Sequence, residues 1–466
     1  MYEDLHEECG VVGVYAPGQD VARIAFFGLH ALQHRGQESA GIATGDGDKI
    51  NLHTSMGLVF QAFRERDLEN LKGHIAVGHT RYSTTGSSRL VNAQPIISKG
   101  TAIEIALAHN GNVINALDLK EELSKIGYTF SGTTDSEIIA HLITSAPAGD
   151  WQERMSYCMR RLKGAYSLIM MTKNTLVAAR DPLGVRPLCI GKLDDGGWVI
   201  ASESCALDHI GAKYLRQVGK GETIIIDENG LKSFQWPGVT EKKATCIFEI
   251  IYFARPDSLI DDSLVYTSRM AMGMELAKEY PVEADMVIGV PDSAVPAAVG
   301  YSQESNIPYG EGLLKNRYVG RTFIQPDQRL REIGVRLKFN PLREMLEGKR
   351  IIVVDDSIVR GTTTPHVVKL LKQSGAKEIH FRVCAPPIMW PCHFGVDLAT
   401  RKELIAAKYT VEQIREFVGA DSLGFLSHEG LLKAVNKSKS EYCMACFTGD
   451  YPVPVQLEMD KLALET

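Results

Sequence analysis

The stretch IIVVDDSIVRGTTT, residues 351–364, decides the reading of the C-terminal half. Its β-branched opening reads as a buried strand, Asp355 and Asp356 end that strand, and a small polar loop then runs into a helix over 365–373. Strand, Gly-containing loop and helix N-terminus together make an anion site. The backbone N–H groups of residues 357–363 and the hydroxyls of Thr362 and Thr363 cradle a phosphate, which makes Ser357, Arg360, Gly361, Thr362 and Thr363 candidate ligands. The paired carboxylates sit where sugar hydroxyls are held, directly or through Mg²⁺, which prefers oxygen ligands. An acidic N-cap before an ordinary helix is the plainer alternative. A Walker loop is excluded, because no GxxxxGK is present.

Outward from this stretch, short β-rich runs at 286–290 and 379–383 alternate with a helical pattern at 269–280, a βαβ texture that calls for a parallel sheet. GVPDSAVPAA (289–298) places an Asp292–Ser293 turn after the first of these strands, where it meets a polyphosphate or its metal. Residues 315–332, KNRYVGRTFIQPDQRLRE, are rich in basic side chains and broken by Gly and Pro. Such a run is usually a solvated loop; beside a polyphosphate it reads as a lid, with Lys315, Arg317 and Arg321 closing over the anion.

The N-terminal half has a different texture. Strands at 9–15, 74–79, 103–109, 167–172, 198–202 and 222–226 mix with helices at 117–126 and 135–145, which points to stacked sheets between helical layers. Residues 235–245, polar around Pro237 and Gly238, are the candidate linker. The division is a leader at 1–8, a domain at 9–235, a second at 250–410 and a helical C-terminal segment at 411–466.

Cys9 opens the apolar strand CGVVGVY directly after an acidic leader. An ordinary buried thiol is one reading. Removal of residues 1–8 would instead give the thiol a neighbouring α-amine, whose reference pKa of about 7.7–8 suits a general base near neutrality. Acyl transfer also needs oxyanion donors, and HNGN at 109–112 offers the Asn110 amide and the Gly111 N–H. An amino-acid substrate needs counter-charges: Arg81 suits an α-carboxylate and Asp135 an α-ammonium. His34, His79 and His109 read as packed or hydrogen-bonded histidines, since the α-amine fills the base role.

The ordered blocks CGVVGVY, LQHRGQESAGIA, GHTRYSTTG, HNGN, TTDSE, RDPLGVRPL and ASES resemble the glutaminase domain of the N-terminal-nucleophile amidotransferases. The resemblance implies an αββα sandwich and a thioester on Cys9. It also implies Asn110 and Gly111 as oxyanion hole, Arg81 and Asp135 as the glutamine grip, and cleavage of the leader. VVDDSIVRGTT resembles the phosphoribosyl-pyrophosphate signature of type I phosphoribosyltransferases, which implies a 5-phosphate in the loop and adds Ser293 to the Mg²⁺ shell.

Nine cysteines without an export signal favour free thiols, catalysis or metal ligation over disulfides. Cys443 and Cys446 form a CxxC, with Cys246 and Cys392 upstream; by ligand chemistry four thiolates fit Zn²⁺ or a [4Fe–4S] cluster equally. TCIFEIIYFARPDS, PPIMWPCHFGVD and CMACFTGDYP resemble the leader-bearing, iron–sulfur branch of the amidophosphoribosyltransferases, which implies the cluster. Cys158, Cys189, Cys205 and Cys384 read as buried thiols.

The resemblance implies a glutamine-dependent transfer of ammonia to phosphoribosyl pyrophosphate, the committed step of purine synthesis, with purine nucleotides as feedback inhibitors and a homotetrameric assembly. A net charge of −6 argues against nucleic-acid or membrane partners, and the acidic start with no apolar run of about 20 residues fits the cytoplasm. A glutaminase serving another acceptor would need a different second domain, and a non-catalytic regulator predicts damage at Cys9, Arg81, Asn110 or Asp135, all of which are present.

Overall fold

The structure, a computed structural model, describes residues 9–82, 86–147, 149–316, 339–398, 400–436, 438–455 and 464–465. The leader at 1–8 and its cleavage, and the lid candidates Arg317 and Arg321, lie outside the described residues.

In the N-terminal half two largely antiparallel sheets face each other. The first has strand order Lys213–Gln217, Cys189–Lys192, Trp198–Ala201, Gly10–Tyr15, Ile75–Arg81, Ser39–Gly45, Ile50–Met56. The second runs Gly230–Gln235, Glu222–Asp227, Leu176–Arg180, Gly164–Met171, Glu104–Val113, Ile96–Lys99. The period of two along a strand sorts GVVGVY between two layers. Val11 and Tyr15 join Ile75, Val77, Ile169 and Ile224 between the sheets, whereas Val12 and Val14 pack beneath the helix Val21–Ala31. Both faces are therefore buried, and no polar alternation marks the strand. Helices Ala116–Lys125, Asp135–Ser145 and Trp151–Arg161 cover Ile105, Leu107, Leu168 and Met170 on the outside of the second sheet. Asp150 caps the last of these by accepting from Glu153 N at 2.8 Å, a contact worth about 1 kcal/mol. The result is the αββα sandwich.

The C-terminal half is built on a four-stranded parallel sheet, ordered Met286–Gly289, Arg350–Asp355, Glu378–Val383, Ser422–Phe425. Ile351 and Val353 pack on one face, Ile352 and Val354 on the other, which explains the unbroken apolar run: a parallel strand is covered on both sides. The final strand was not legible in the sequence, being short and only half buried at its start. The helix expected at 269–280 begins a turn earlier, as Val265–Glu279.

Residues 236–244 contain no helix or strand, and one apolar cluster then spans both halves, joining Ala165 and Val185 to Cys246, Phe248, Phe394 and Phe447. Among the described residues no helix is long and apolar enough to cross a membrane.

Candidate active sites

HNGN, expected to end its strand at His109, lies inside one. Glu104–Val113 continues through it, with Asn110 opposite Ser167 and Gly111 opposite Tyr166. Gly111 has φ +145°, and a Cβ there would stand 2.1 Å from Ala165 O, so no side chain fits. Asn110 is 1 % exposed, and neither its Oδ1 nor its Nδ2 has a hydrogen-bond partner among the described residues. A buried amide without partners costs free energy unless a ligand completes it.

Cys9 is buried, and its Sγ lies 3.3 Å from Tyr82 O and 3.5 Å from Tyr82 N. Burial pushes the thiol up to about 11, against the pull of Tyr82 N and of the Arg81 charge; Glu38 and Asp135 push the same way as burial. Arg81 and Asp135 thus lie within electrostatic reach of Cys9. Arg81 is buried against Ser87 O (3.2 Å) and Glu38 Oε2 (3.5 Å). Asp135 opens the helix Asp135–Ser145, and its Oδ2 accepts from Val113 N at 3.0 Å. Burial raises the Asp135 carboxyl, but His109 and the N–H groups of Val113 and Ser136 outweigh it and hold the group below the usual carboxylate range.

The three histidines are hydrogen-bonded: His79 Nε2 to His109 O (3.1 Å), His109 Nδ1 to Ser136 Oγ (3.1 Å), His34 Nε2 to Glu203 Oε1 (2.7 Å). Burial pushes His79 down to about 3, so it is neutral at any working pH.

Sequence reading missed the group beneath Cys9. Arg35 Nε donates to Cys9 O at 3.2 Å, and the Arg35 fork meets Glu203 Oε1 (2.5 Å) and both oxygens of Glu249 (2.8 and 3.0 Å). Arg186 Nη1 lies 3.5 Å from Glu249 Oε1. All four side chains are fully buried. Removing one partner from such a set costs about 3–5 kcal/mol. Burial raises the Glu203 carboxyl, but His34 and Arg35 overcome it and drive the group far below its ordinary value. The available signal was charge inside apolar runs, as with Glu249 in CIFEIIYF.

The second site lies at the C-terminal edge of the parallel sheet, where open α/β sheets bind ligands. The loop after Arg350–Asp355 leads to the helix Thr364–Gln373. Asp356 is the hub: Ser293 Oγ donates to its Oδ2, and Ser357 Oγ donates to its Oδ1 at 2.6 Å. Asp355 Oδ1 accepts from Asp356 N at 3.0 Å. The turn after Met286–Gly289 is thereby tied to the signature loop. Thr362 is exposed and Thr363 half-buried at the loop's end, and Gly361 takes φ +72°. Arg360 donates from Nε (3.0 Å) and Nη2 (2.7 Å) to Glu403 Oε2, a brace that the sequence did not reveal. Lys315 Nζ reaches Asp292 Oδ2 at 2.8 Å.

The four cysteines converge. Cys246 and Cys443 sit opposite each other on paired two-residue strands. With Cys392 and Cys446 they line one cavity, otherwise walled by apolar side chains including Val185, Phe248, Phe394 and Tyr451. Burial, then the neighbouring thiols of Cys443, Cys246 and Cys392, pushes Cys446 well up. Cys392 Sγ accepts from Phe394 N at 3.4 Å. Among the described residues no three His, Cys, Asp or Glu side chains are gathered tightly enough for a single ion. Cys158, Cys189, Cys205 and Cys384 are buried away from this ring.

Family models match in both halves: a glutamine amidotransferase domain over residues 79–209 and a phosphoribosyl transferase domain over 270–388. The chain is 50% identical to an amidophosphoribosyltransferase of Synechococcus elongatus, covering 99% of this chain and 94% of that one. It is 51% identical to that of Archaeoglobus fulgidus, covering 96% and 98%. The solved glutamine phosphoribosylpyrophosphate amidotransferase from B. subtilis, complexed with ADP and GMP, is 46% identical, covers 96% of this chain and 98% of its own, and superposes with a TM-score of 0.90. With sequence, both domain signatures and fold in agreement along nearly its whole length, the chain belongs to the amidophosphoribosyltransferase family.

Proposed function

We propose that the protein converts glutamine, phosphoribosyl pyrophosphate and water to 5-phosphoribosylamine, glutamate and pyrophosphate, the first committed step of purine synthesis, in the cytoplasm. The observation that carries the first half-reaction is the buried Asn110 side-chain amide, which has no hydrogen-bond partner among the described residues. A thiol near 11 stays protonated at neutral pH and needs a base. With residues 1–8 removed, the Cys9 α-amine takes that proton, and sulfur attacks the glutamine amide carbon. Asn110 Nδ2 and Gly111 N–H donate to the oxyanion. The α-ammonium returns its proton to the leaving ammonia, and water releases glutamate from the thioester. Arg81 pairs with the α-carboxylate, and Asp135, kept ionised, accepts from the α-ammonium.

Ammonia passes through a channel to the second site, where it attacks C1 of phosphoribosyl pyrophosphate. Ser357, Arg360, Gly361, Thr362 and Thr363 hold the 5-phosphate, and Asp355 and Asp356 the ribose hydroxyls. Lys315, Arg317 and Arg321 close over the pyrophosphate. Ser293, Asp355 and Asp356 would hold Mg²⁺, which would supply charge neutralisation for the leaving group. Ser293 and Ser357 on Asp356 keep the carboxylate oriented.

Cys246, Cys392, Cys443 and Cys446 are proposed to hold a [4Fe–4S] cluster: all four line one cavity, four thiolates suit Zn²⁺ or a cluster, and the resemblance to the iron–sulfur branch of the family selects the cluster. With a cluster bound, Cys246 and the Cys392, Cys443 and Cys446 thiolates would tie the start of the second half to its end, so oxidation should unfold the region between the domains. Purine nucleotides as feedback ligands agree with the ADP and GMP in the B. subtilis complex, and a homotetramer is the assembly proposed.

Intact mass with iron and acid-labile sulfide, on anaerobically purified protein assayed for glutamine-dependent pyrophosphate release, tests the reading. Loss of residues 1–8 with about four iron and about four sulfide per chain is the expected result. A retained leader in active protein, or zinc in place of iron, contradicts the nucleophile or the cluster respectively.

A further inference from the structure

Three consecutive residues of the second half, His393, Phe394 and Gly395, enter the first half at the acyl-transfer site. His393 O accepts from Asn112 Nδ2 at 2.9 Å, immediately after the proposed oxyanion pair. Phe394 O accepts from Arg186 Nε at 2.9 Å and also from Arg186 Nη2. Gly395, at φ +107°, is so close that a Cβ there would stand 3.1 Å from Gly111 C and 3.2 Å from Gly111 Cα. A second connection comes from Glu249, whose carboxylate grips Arg35, and Arg35 Nε in turn donates to Cys9 O. Arg186 touches both connections, Phe394 O on one side and Glu249 on the other.

Each connection ends on the backbone of a reacting group: one on the strand that supplies Asn110 and Gly111, the other on the carbonyl of Cys9. The charged members are two arginines, Arg35 and Arg186, and one glutamate, Glu249, all fully buried, so water is not at hand to absorb a displacement. A misplacement of about 1 Å at such a site costs roughly 100-fold in rate.

We infer that His393, Phe394, Gly395 and Glu249 are positioning residues for glutamine hydrolysis. Docked against the first half, the second half sets the oxyanion strand through Asn112 and Gly111 and sets Cys9 through Arg35. The inference rests on the roles proposed for Cys9, Asn110 and Gly111. None of the contacts named above is to Arg81 or Asp135, although Asp135 accepts from Val113 N on the same strand, so the effect falls mainly on kcat and less on KM.

The full-length variants Asn112→Ala and Gly395→Ala test this, with Asn110→Ala as reference. The readouts are steady-state glutamine hydrolysis and pyrophosphate release from phosphoribosyl pyrophosphate with ammonium chloride replacing glutamine. Expected for Asn112→Ala and Gly395→Ala is a glutamine kcat lowered roughly 10- to 100-fold, glutamine KM within about threefold, and the ammonium-dependent rate within about twofold of wild type. An inactive Asn110→Ala beside wild-type glutamine kcat in both other variants overturns the positioning inference alone. Parallel loss of kcat, KM and ammonium-dependent activity reduces these contacts to fold maintenance and overturns it too. Wild-type hydrolysis by Asn110→Ala removes the proposed oxyanion hole and the inference together.

Discussion

The two candidate sites differ in how finished they are. Around Cys9 nearly everything is buried: Arg81, Asn110 and Asp135 are 2 %, 1 % and 4 % exposed, and a buried ion network braces the cysteine from below. Around Asp355 the surroundings are open. Thr362 is exposed, Lys315 pairs with an Asp292 side chain that is 69 % exposed, and Asp356 is satisfied by the protein's own hydroxyls. In the proposed function the first site is a preformed cavity for an oxyanion, and the second is a platform that its substrate completes. Hydrolysis of an amide can be served by a rigid cavity, whereas a labile glycosyl centre is better closed after the substrate is in place.

The sharpest way to break this contrast is Cys9→Ala. Glutamine-dependent activity should fall by about three orders of magnitude or more while ammonium-dependent activity stays within about twofold, because only one site loses its chemistry. Asn110→Ala should lower glutamine kcat roughly 100- to 1000-fold, the usual cost of one oxyanion donor. Asp356→Ala should act in the opposite pattern, lowering pyrophosphate release roughly 100-fold with either nitrogen source and sparing glutamine hydrolysis measured alone. Cys443→Ser should abolish iron binding and lower the melting temperature by several degrees, since the anchor between Cys246 and the C-terminal segment is lost.

A separate effect is expected on pH-dependent stability. His79 is neutral in the folded state, with its value pushed down to about 3 from 6.5 by burial. A depressed folded value means the contribution is fully present above about pH 6.5 and is lost as pH falls toward 3, because the unfolded chain binds the proton first. His79→Asn should therefore flatten the urea-measured stability between pH 6.5 and 4; an unchanged slope would assign the acid sensitivity to other groups.

Both sites were legible in the sequence where chemistry is carried by short, chemically unusual runs. VVDDSIVRGTT needed paired acids at a strand end, and the structure brings Asp355, Asp356 and Ser293 together there. HNGN reads as a donor pair that ends a strand at His109, whereas the strand runs on to Val113: the β pairing of Asn110 and Gly111 with Ser167 and Tyr166 overrides the low strand propensity of Asn and Gly. Ser39–Gly45, SAGIATG, went unread for a related reason: small residues buried along the whole strand leave no period-two pattern. The Arg35–Glu249–Arg186 network could not be read from order along the chain, since its members come from separate segments and meet only in the folded molecule. The pairing of Arg360 with Glu403 is likewise a contact across 43 residues.

The central claim is that nitrogen released at Cys9 is used at the phosphoribosyl site. Its most direct test is to supply amide-¹⁵N glutamine and phosphoribosyl pyrophosphate with an excess of unlabelled ammonium, then trap the aminated sugar phosphate and measure its isotope content. The account predicts predominantly ¹⁵N product, with glutamate and pyrophosphate formed in equal amounts. Product carrying the solution's unlabelled nitrogen, or glutamate formed without matching pyrophosphate, would contradict it.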